Sequence, residues 1–184
     1  QGTSNSTYQH DGVSIHYNKS FMPWSSDFGH GFAFCVSVAR KIDKFCKTNR
    51  IDIIHGQSPS SFAYALLRNR SSPFVVTMHG TSFGEISSNL EKPLLLGQLL
   101  FDPEMLFNQS LWAFLTFLEY KLADRVIAVS NATAEEAKLF YGLSNEKVKV
   151  IPNGVDPVKL LEDPNGGELG LILSVGRLVW RKGF

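Results

Sequence analysis

The chain has 184 residues, of which 43% are hydrophobic and 19% charged, and its formal net charge is +1. A chain of this length buries a substantial core, as one domain or as one domain and part of another. The nearly balanced charge offers no basic footprint for a nucleic acid, so we expect no such partner. The composition is typical of a soluble α/β protein.

Cys35 and Cys46 are the only cysteines. They stand eleven residues apart within one predicted helix, so we expect two free thiols rather than a disulfide, which fits a reducing compartment. The sequence shows no signal-peptide pattern and no apolar run of about eighteen residues, the length of a membrane span. We therefore predict a cytoplasmic protein.

The first fifty residues are predicted to contain one strand and one helix. Residues 1–10 are polar and are expected to form a flexible lead or loop, whereas residues 13–17 alternate between apolar and polar and predict a short strand. Residues 20–31 are predicted to be a loop. Apolar residues then recur at helical spacing over 32–48, with basic residues in the second half, which predicts an amphipathic helix. The basic residues suit the negative end of the helix dipole, and a membrane-surface helix is the alternative.

Two strands with polar ends follow. Residues 51–57 predict a strand that ends at His55-Gly56-Gln57, and residues 58–67 predict a helix. Residues 74–78 predict a buried strand, and His79-Gly80-Thr81 ends it. This alternation of strands and helices predicts an α/β fold with a doubly wound parallel sheet.

The section from Ser82 to Asp102 mixes Pro and Gly with leucines, and a mobile flap and part of an acceptor pocket both stay open as interpretations. Residues 104–123 predict a helix that is apolar nearly all round. Such a helix is either thoroughly buried or placed against a lipid surface. We favour burial, because the helix leads straight into the next strand.

Residues 123–157 predict one strand, helix, strand unit. A β-branched run at 126–129 is followed by Ser130 or Asn131 as a helix cap, and Gly142 ends the helix. A second strand at 148–151 ends in Pro152-Asn153-Gly154. Ligands of parallel sheets bind beyond the carboxyl ends of the strands. We therefore expect His55, His79, Ser130 and the Asn153-Gly154 loop to share one ligand edge.

The end of the chain predicts a change of domain. Residues 158–168 are predicted to be a linker, and residues 169–175 a new buried strand that ends at Gly176. Glycine lets the backbone approach a ligand, and Arg177 and Lys182 can bracket a diphosphate from two directions. A solvated basic loop is the alternative for this segment.

Three segments carry a resemblance to a known family: VIAVSNATAEEAKLFYG, then KVKVIPNGVD, then ILSVGRLVWRKGF. In this order they resemble family 4 of the retaining, nucleotide-sugar-dependent glycosyltransferases, which have the two-domain GT-B fold, and the resemblance extends from about Ile51 onward. It implies that residues 1–157 form a partial N-terminal Rossmann-like acceptor-side domain. Residues 169–184 would begin the C-terminal nucleotide-sugar-binding domain.

The resemblance also implies site roles. In the family, the histidine after this strand faces the interdomain cleft and contacts the donor sugar, which makes His79 the catalytic candidate. The family pattern G-R-x4-K-G implies that Gly176, Arg177 and Lys182 hold the diphosphate. Cations there would neutralise the charge that builds on the leaving phosphate, so we expect no metal and no cofactor. Ser130, Asn153 and Gly154 would line the cleft, and His55 has a weaker claim to do so.

The implied reaction is transfer of a hexosyl-type sugar from a nucleotide diphosphate sugar to a hydroxyl acceptor, with retention of configuration. The acceptor would be a sugar, a glycan or a lipid-linked molecule, so peripheral membrane contact stays open. The family's first strand should precede Gln1 and its paired-glutamate motif should follow Phe184, so we expect this segment alone to be inactive. A noncatalytic Rossmann-like binding or scaffolding domain is the main alternative, and a sugar-nucleotide epimerase of the same shape is a weaker one.

Overall fold

The computed structural model describes residues 7–17, 27–82, 103–156 and 174–176. Two strands come first, a long helix follows them, and strands then alternate with helices. The strands are β1 (Thr7–His10), β2 (Val13–His16), β3 (Ile54–Gln57), β4 (Phe74–Met78), β5 (Arg125–Ala128) and β6 (Val148–Val150). The helices are α1 (Asp27–Thr48), α2 (Phe62–Leu67), α3 (Pro103–Leu122) and α4 (Asn131–Tyr141).

Strands β3 to β6 form one four-stranded parallel sheet in the order β3-β4-β5-β6. Met78 at the end of β4 pairs with Ala128 at the end of β5, and Ala128 pairs with Val150 at the end of β6. The carboxyl ends of these strands therefore form one edge. The predicted α/β class with a Rossmann-like parallel sheet is confirmed.

One face of this sheet carries the hydrophobic core. Phe74, Val76 and Met78 alternate along β4 and are fully buried, as are Val126 and Ala128 of β5. Buried residues of all four helices belong to the same core cluster as these strand residues, and α1 contacts α2, α2 contacts α3 and α3 contacts α4. Because side chains alternate along a strand, the intervening residues project from the opposite face. Several of these are polar and exposed: His55, Gln57, Arg125 and Lys149.

Helix α3 is buried along one side only. Leu115 and Tyr120 belong to the core, whereas Phe107 and Phe114 are 66% and 56% exposed. The prediction of burial is therefore confirmed for the core-facing side, and the two exposed phenylalanines depart from it. Within the described residues, none of the helices is long and apolar enough to cross a membrane.

In the N-terminal segment β2 confirms the strand expected at 13–17, whereas β1 was not predicted. Residues 7–10, expected in a loop, form β1, which pairs antiparallel with β2. The turn between the strands is Asp11-Gly12, and both residues have positive φ, at 47° and 78°. A two-residue turn of this kind favours Asp-Gly, so the dipeptide itself was the missed indication of a hairpin.

The start of α1 and the start of β3 also differ from the predictions. Helix α1 begins at Asp27, so residues 27–31 are helical rather than part of a loop. Strand β3 begins at Ile54 rather than at Ile51. Cys35 and Cys46 are both free thiols, as predicted, and burial raises the pKa of Cys35 to about 11.

The ends of α4 confirm the predicted capping. Ser130 is the N-cap, and its hydroxyl accepts a hydrogen bond from the backbone N–H of Thr133 at 3.1 Å. Gly142 adopts the left-handed conformation with φ of 57°, and its N–H bonds back to the last turn. Most of the section 82–102, the linker at 158–168, residues 169–173 of the predicted buried strand and the final residues 177–184 lie outside the described residues. The rest of that predicted strand, Ser174 and Val175, is not in a strand, and Val175 is 85% exposed, which contradicts burial there.

A buried arginine ties α2 to the start of β5. The guanidinium of Arg68 donates to both carboxylate oxygens of Asp124, at 2.9 and 3.2 Å, and the carboxylate also accepts from the N–H of Phe74 at 2.8 Å. The hydrogen bonds from Arg68 hold the pKa of Asp124 below its ordinary value. A lowered carboxyl pKa contributes stability above the unfolded pKa, and this contribution is lost as the pH falls through the folded pKa.

We expect Asp124→Asn to lower the free energy of unfolding by about 2 kcal/mol at pH 7, because charge-assisted hydrogen bonds to Arg68 are lost. The difference from the wild type should shrink below about pH 4, where the unfolded aspartate is protonated. Urea unfolding at pH 7, 5 and 3.5 measures it. Asp52→Asn is the control, because Asp52 faces Arg50 with both side chains exposed. A difference that is constant with pH would contradict the assignment.

Candidate functional site

The carboxyl edge of the parallel sheet brings together three predicted site residues and one further residue, Gln57. Gln57 ends β3, His79 follows β4, Ser130 follows β5, and Asn153 lies three residues beyond β6. Parallel strands bring these positions to one side of the molecule, where open α/β sheets bind their ligands. Strand order therefore places His79, Ser130 and Asn153 at one edge, as expected, whereas His55 pairs with Val75 inside β3 and does not lie at its carboxyl end.

His79 is exposed at this edge and does not enter the packed interior. Its Nε2 lies 2.7 Å from the side-chain oxygen of Gln57, which ends the neighbouring strand. The other ring nitrogen, Nδ1, has no hydrogen-bond partner among the described residues. The ring is thus held from one side and leaves one nitrogen for a ligand.

His55 lies on the same face of β3 as Gln57, two residues earlier. Its Nε2 is 2.7 Å from the hydroxyl of Thr77 and 3.4 Å from the side-chain nitrogen of Gln57. His55 therefore already has two polar neighbours, and Gln57 connects it to His79. Gln57 was not among the predicted site residues, although its position two residues after His55 at a strand end placed it on the same face.

The three remaining edge positions differ in how their polar groups are used. The hydroxyl of Ser130 caps α4 and lies 3.0 Å from the hydroxyl of Thr133, so its first role is structural. Asn153 and Gly154 lie in an exposed segment after β6, and the N–H of Ile151 continues the sheet by donating to Ala128 at 3.0 Å. Asn153 and Gly154 remain candidates to line a cleft.

The predicted phosphate-binding residues belong to the end of the chain. Gly176 is exposed within the short described stretch 174–176. Arg177 and Lys182 lie outside the described residues, so a diphosphate site made by this pair stays a prediction.

A buried glutamate supports the loop that carries Gln57. Glu119 of α3 is fully buried, and its Oε1 accepts hydrogen bonds from the N–H of Ser61, at 3.0 Å, and from the Ser61 hydroxyl. Burial raises the pKa of Glu119. The next residue, Tyr120, donates from its hydroxyl to Ser58 at 2.7 Å. Helix α3 therefore fixes both ends of the turn from β3 into α2.

Gly56 makes this close packing possible. A Cβ atom at this position would collide with the Ser61 hydroxyl and lie 2.6 Å from the Ser61 Cβ. The backbone of β3 thus passes directly over the start of α2 because residue 56 has no side chain. The position of the last residue of β3, Gln57, follows from this contact.

The edge offers imidazole, amide and hydroxyl groups, which can form hydrogen bonds with the hydroxyls of a sugar. Within the part of the chain that the structure describes, no group of three or more His, Cys, Asp or Glu side chains could hold a metal ion. The arrangement can orient a polyhydroxylated ligand at the carboxyl ends of β3 and β4.

The family model described as Glycosyltransferase Family 4 matches residues 3–159, which is more than half of the 184 residues. No curated protein sequence matches the chain.

Proposed function

The chain belongs to glycosyltransferase family 4, and from this premise we propose that it supplies the acceptor-side domain of a retaining, hexosyltransferase-type enzyme. The donor is a nucleotide diphosphate sugar, and the acceptor is a hydroxyl group of a sugar, a glycan or a lipid-linked molecule. The observation that carries the proposal is the exposed imidazole of His79 at the carboxyl edge of the sheet, held by Gln57 at 2.7 Å.

The proposed roles follow the chemistry of the reaction. His79 orients the transferred sugar, and Ser130, Asn153 and Gly154 line the cleft beside it. Arg177 and Lys182, with Gly176 allowing close backbone approach, hold the diphosphate. Cations fixed at that position stabilise the charge that develops on the leaving phosphate oxygen, so the reaction proceeds without a metal or a cofactor.

We also propose a cytoplasmic location with contact to a membrane surface when the acceptor is lipid-linked. Two observations support this: both described cysteines are free thiols, and α3 exposes Phe107 and Phe114. A reducing compartment preserves free thiols, and exposed aromatic side chains suit an interface with lipid.

The direct test is a transfer assay on the complete natural protein with a panel of nucleotide diphosphate sugars and simple hydroxyl acceptors. We expect one donor to support transfer, and NMR of the product to show the anomeric configuration of the donor. Isothermal titration of the 184-residue chain with the same panel measures how much of the donor affinity these residues carry. Binding without transfer of any donor would favour the scaffolding alternative, and an inverted product would contradict retention.

A further inference from the structure

The amide of Gln57 joins two histidines on neighbouring strand ends. Its oxygen lies 2.7 Å from Nε2 of His79, and its nitrogen lies 3.4 Å from Nε2 of His55. The hydroxyl of Thr77 lies 2.7 Å from that same nitrogen of His55. One amide therefore contacts an imidazole at each of its two ends.

The chemistry of the amide decides where the protons lie. An amide oxygen only accepts hydrogen bonds, so Nε2 of His79 must carry the hydrogen. The amide nitrogen only donates, so its 3.4 Å contact with Nε2 of His55 favours a bare Nε2 and a hydrogen on Nδ1. The Thr77 hydroxyl, which can donate or accept, is then the closer donor to that nitrogen, at 2.7 Å. The hydrogen bond made by one ring nitrogen thus fixes the state of the other.

We infer that Gln57 is a positioning residue for His79: it holds the ring by Nε2–H, so that Nδ1 presents a hydrogen-bond acceptor to a ligand hydroxyl. This inference rests on the proposed function and specifies how His79 acts in it. A phosphate oxygen is an acceptor and offers nothing to a bare Nδ1, whereas a sugar hydroxyl donates to it. His79 is therefore matched to a hydroxyl of the sugar or of the acceptor rather than to the diphosphate.

The first experiment reads the protons directly. Long-range ¹H–¹⁵N correlation spectra of the 184-residue chain, at about pH 8.5 where imidazoles are neutral, distinguish the two tautomers of each ring. In the wild type we expect His79 with the hydrogen on Nε2 and His55 with the hydrogen on Nδ1. His10 is the reference within the same spectrum, because it lies exposed in β1 and its Nε2 is 3.5 Å from a carboxylate oxygen of Asp11 rather than next to Gln57.

Two variants test separately the contact of Gln57 with His79 and its contact with His55. Gln57→Met keeps the length of the side chain but removes both contacts, so His79 should populate both tautomers, and His55 should move its hydrogen to Nε2 and donate to Thr77. Gln57→Glu keeps an oxygen for His79 and removes the donor to His55, so only His55 should change. Gln57 is exposed, so both variants should keep the wild-type melting temperature. If His55 and His79 have the same tautomers in Gln57→Met as in the wild type, the inference is overturned.

The second experiment measures kcat/KM for sugar transfer by the complete natural protein and its Gln57 variants. We expect Gln57→Met to lower kcat/KM on the order of tenfold, the effect of one lost positioning hydrogen bond, and Gln57→Glu to recover most of it. Full activity in Gln57→Met would overturn the inference while the proposed function stands. If the histidine tautomers are those expected but the protein transfers no sugar, the proposed function is overturned. The inference that Gln57 positions His79 would still be supported.

Discussion

Glu119→Ala is expected to lower the free energy of unfolding by about 3–5 kcal/mol, the largest effect on stability that we expect from a single substitution here. The change removes a fully buried side chain and leaves a cavity. It also leaves the backbone N–H and the hydroxyl of Ser61 without their acceptor at the start of α2. The two costs act at one place, where α2, α3 and the end of β3 meet.

Urea unfolding at neutral pH, followed by circular dichroism, measures this loss. Glu119→Gln keeps an oxygen acceptor for Ser61, so its loss should be smaller than that of the alanine variant. Glu146→Ala removes an exposed carboxylate of the same type and should change the stability by less than about 0.5 kcal/mol. The cavity alone would cost roughly 3 kcal/mol. A Glu119→Ala variant whose free energy of unfolding lies within about 1 kcal/mol of the wild type would therefore contradict the role of Glu119 as the buried acceptor for Ser61.

The stability that Glu119 supplies should also depend on pH. Burial raises the pKa of Glu119, which means that the folded state favours the protonated carboxyl. In the unfolded chain a glutamate ionises near about pH 4.3. The wild type should therefore lose part of its advantage over Glu119→Gln as the pH rises from about 4 through the raised pKa, because ionisation then opposes burial.

Gly56→Ala in β3 should disturb the same contact between Ser61 and Glu119. The added methyl would collide with Ser61 and push its hydroxyl away from Glu119. Combined with Glu119→Ala, its cost should be less than additive, because both substitutions remove the same contact. An additive pair would show that Gly56 and Glu119 act on separate parts of the fold.

The elements that the sequence predicted well are those set by local chemistry. Strand β4 has the predicted bounds Phe74–Met78, since an apolar run followed by His79-Gly80 leaves little choice. Helix α4 begins at its Ser130 cap and ends at Gly142 because a short hydroxyl side chain and a residue free to adopt positive φ each act within one turn.

The features that the sequence did not predict depend on contacts between distant residues. Glu119 meets Ser61 across 58 positions, and the only local indication was an acid within an otherwise apolar stretch of α3. Gln57 meets His79 across 22 positions, and nothing near either residue indicates the partner. Strand β1 is a different case, because the Asp11-Gly12 dipeptide by itself favours the two-residue turn of a hairpin.

In the candidate site too, the position of the edge was predictable from the sequence, whereas the contacts of its side chains were not. The strand ends gave the shared edge of His79, Ser130 and Asn153, because parallel pairing places carboxyl ends together. Which atoms on that edge are engaged could not be predicted, since Ser130 is occupied by its own helix while His79 is held through a neighbouring strand. The sequence thus located the edge, and the side-chain geometry shows the imidazole of His79 exposed on it, the group that we propose faces the ligand.

His79→Ala is expected to lower kcat/KM for sugar transfer about 100-fold in the complete natural protein, the largest effect on activity that we expect from this domain. The imidazole is exposed at the carboxyl edge and contacts Gln57 at 2.7 Å, so under the proposed function its loss removes a group already placed for the transition state. The melting temperature should stay unchanged, because no core contact is lost.

His55→Ala is the matched control, since His55 is an exposed imidazole one strand away that already has Thr77 and Gln57 as neighbours. We expect its effect on kcat/KM to be several times smaller than that of His79→Ala, and to arise only through Gln57. If His79 orients the sugar in the transition state, kcat falls together with kcat/KM. A rise in KM with kcat unchanged would instead assign His79 to ground-state binding, because uniform binding leaves the chemical step as it was. Equal losses in the two alanine variants would contradict the special role of His79.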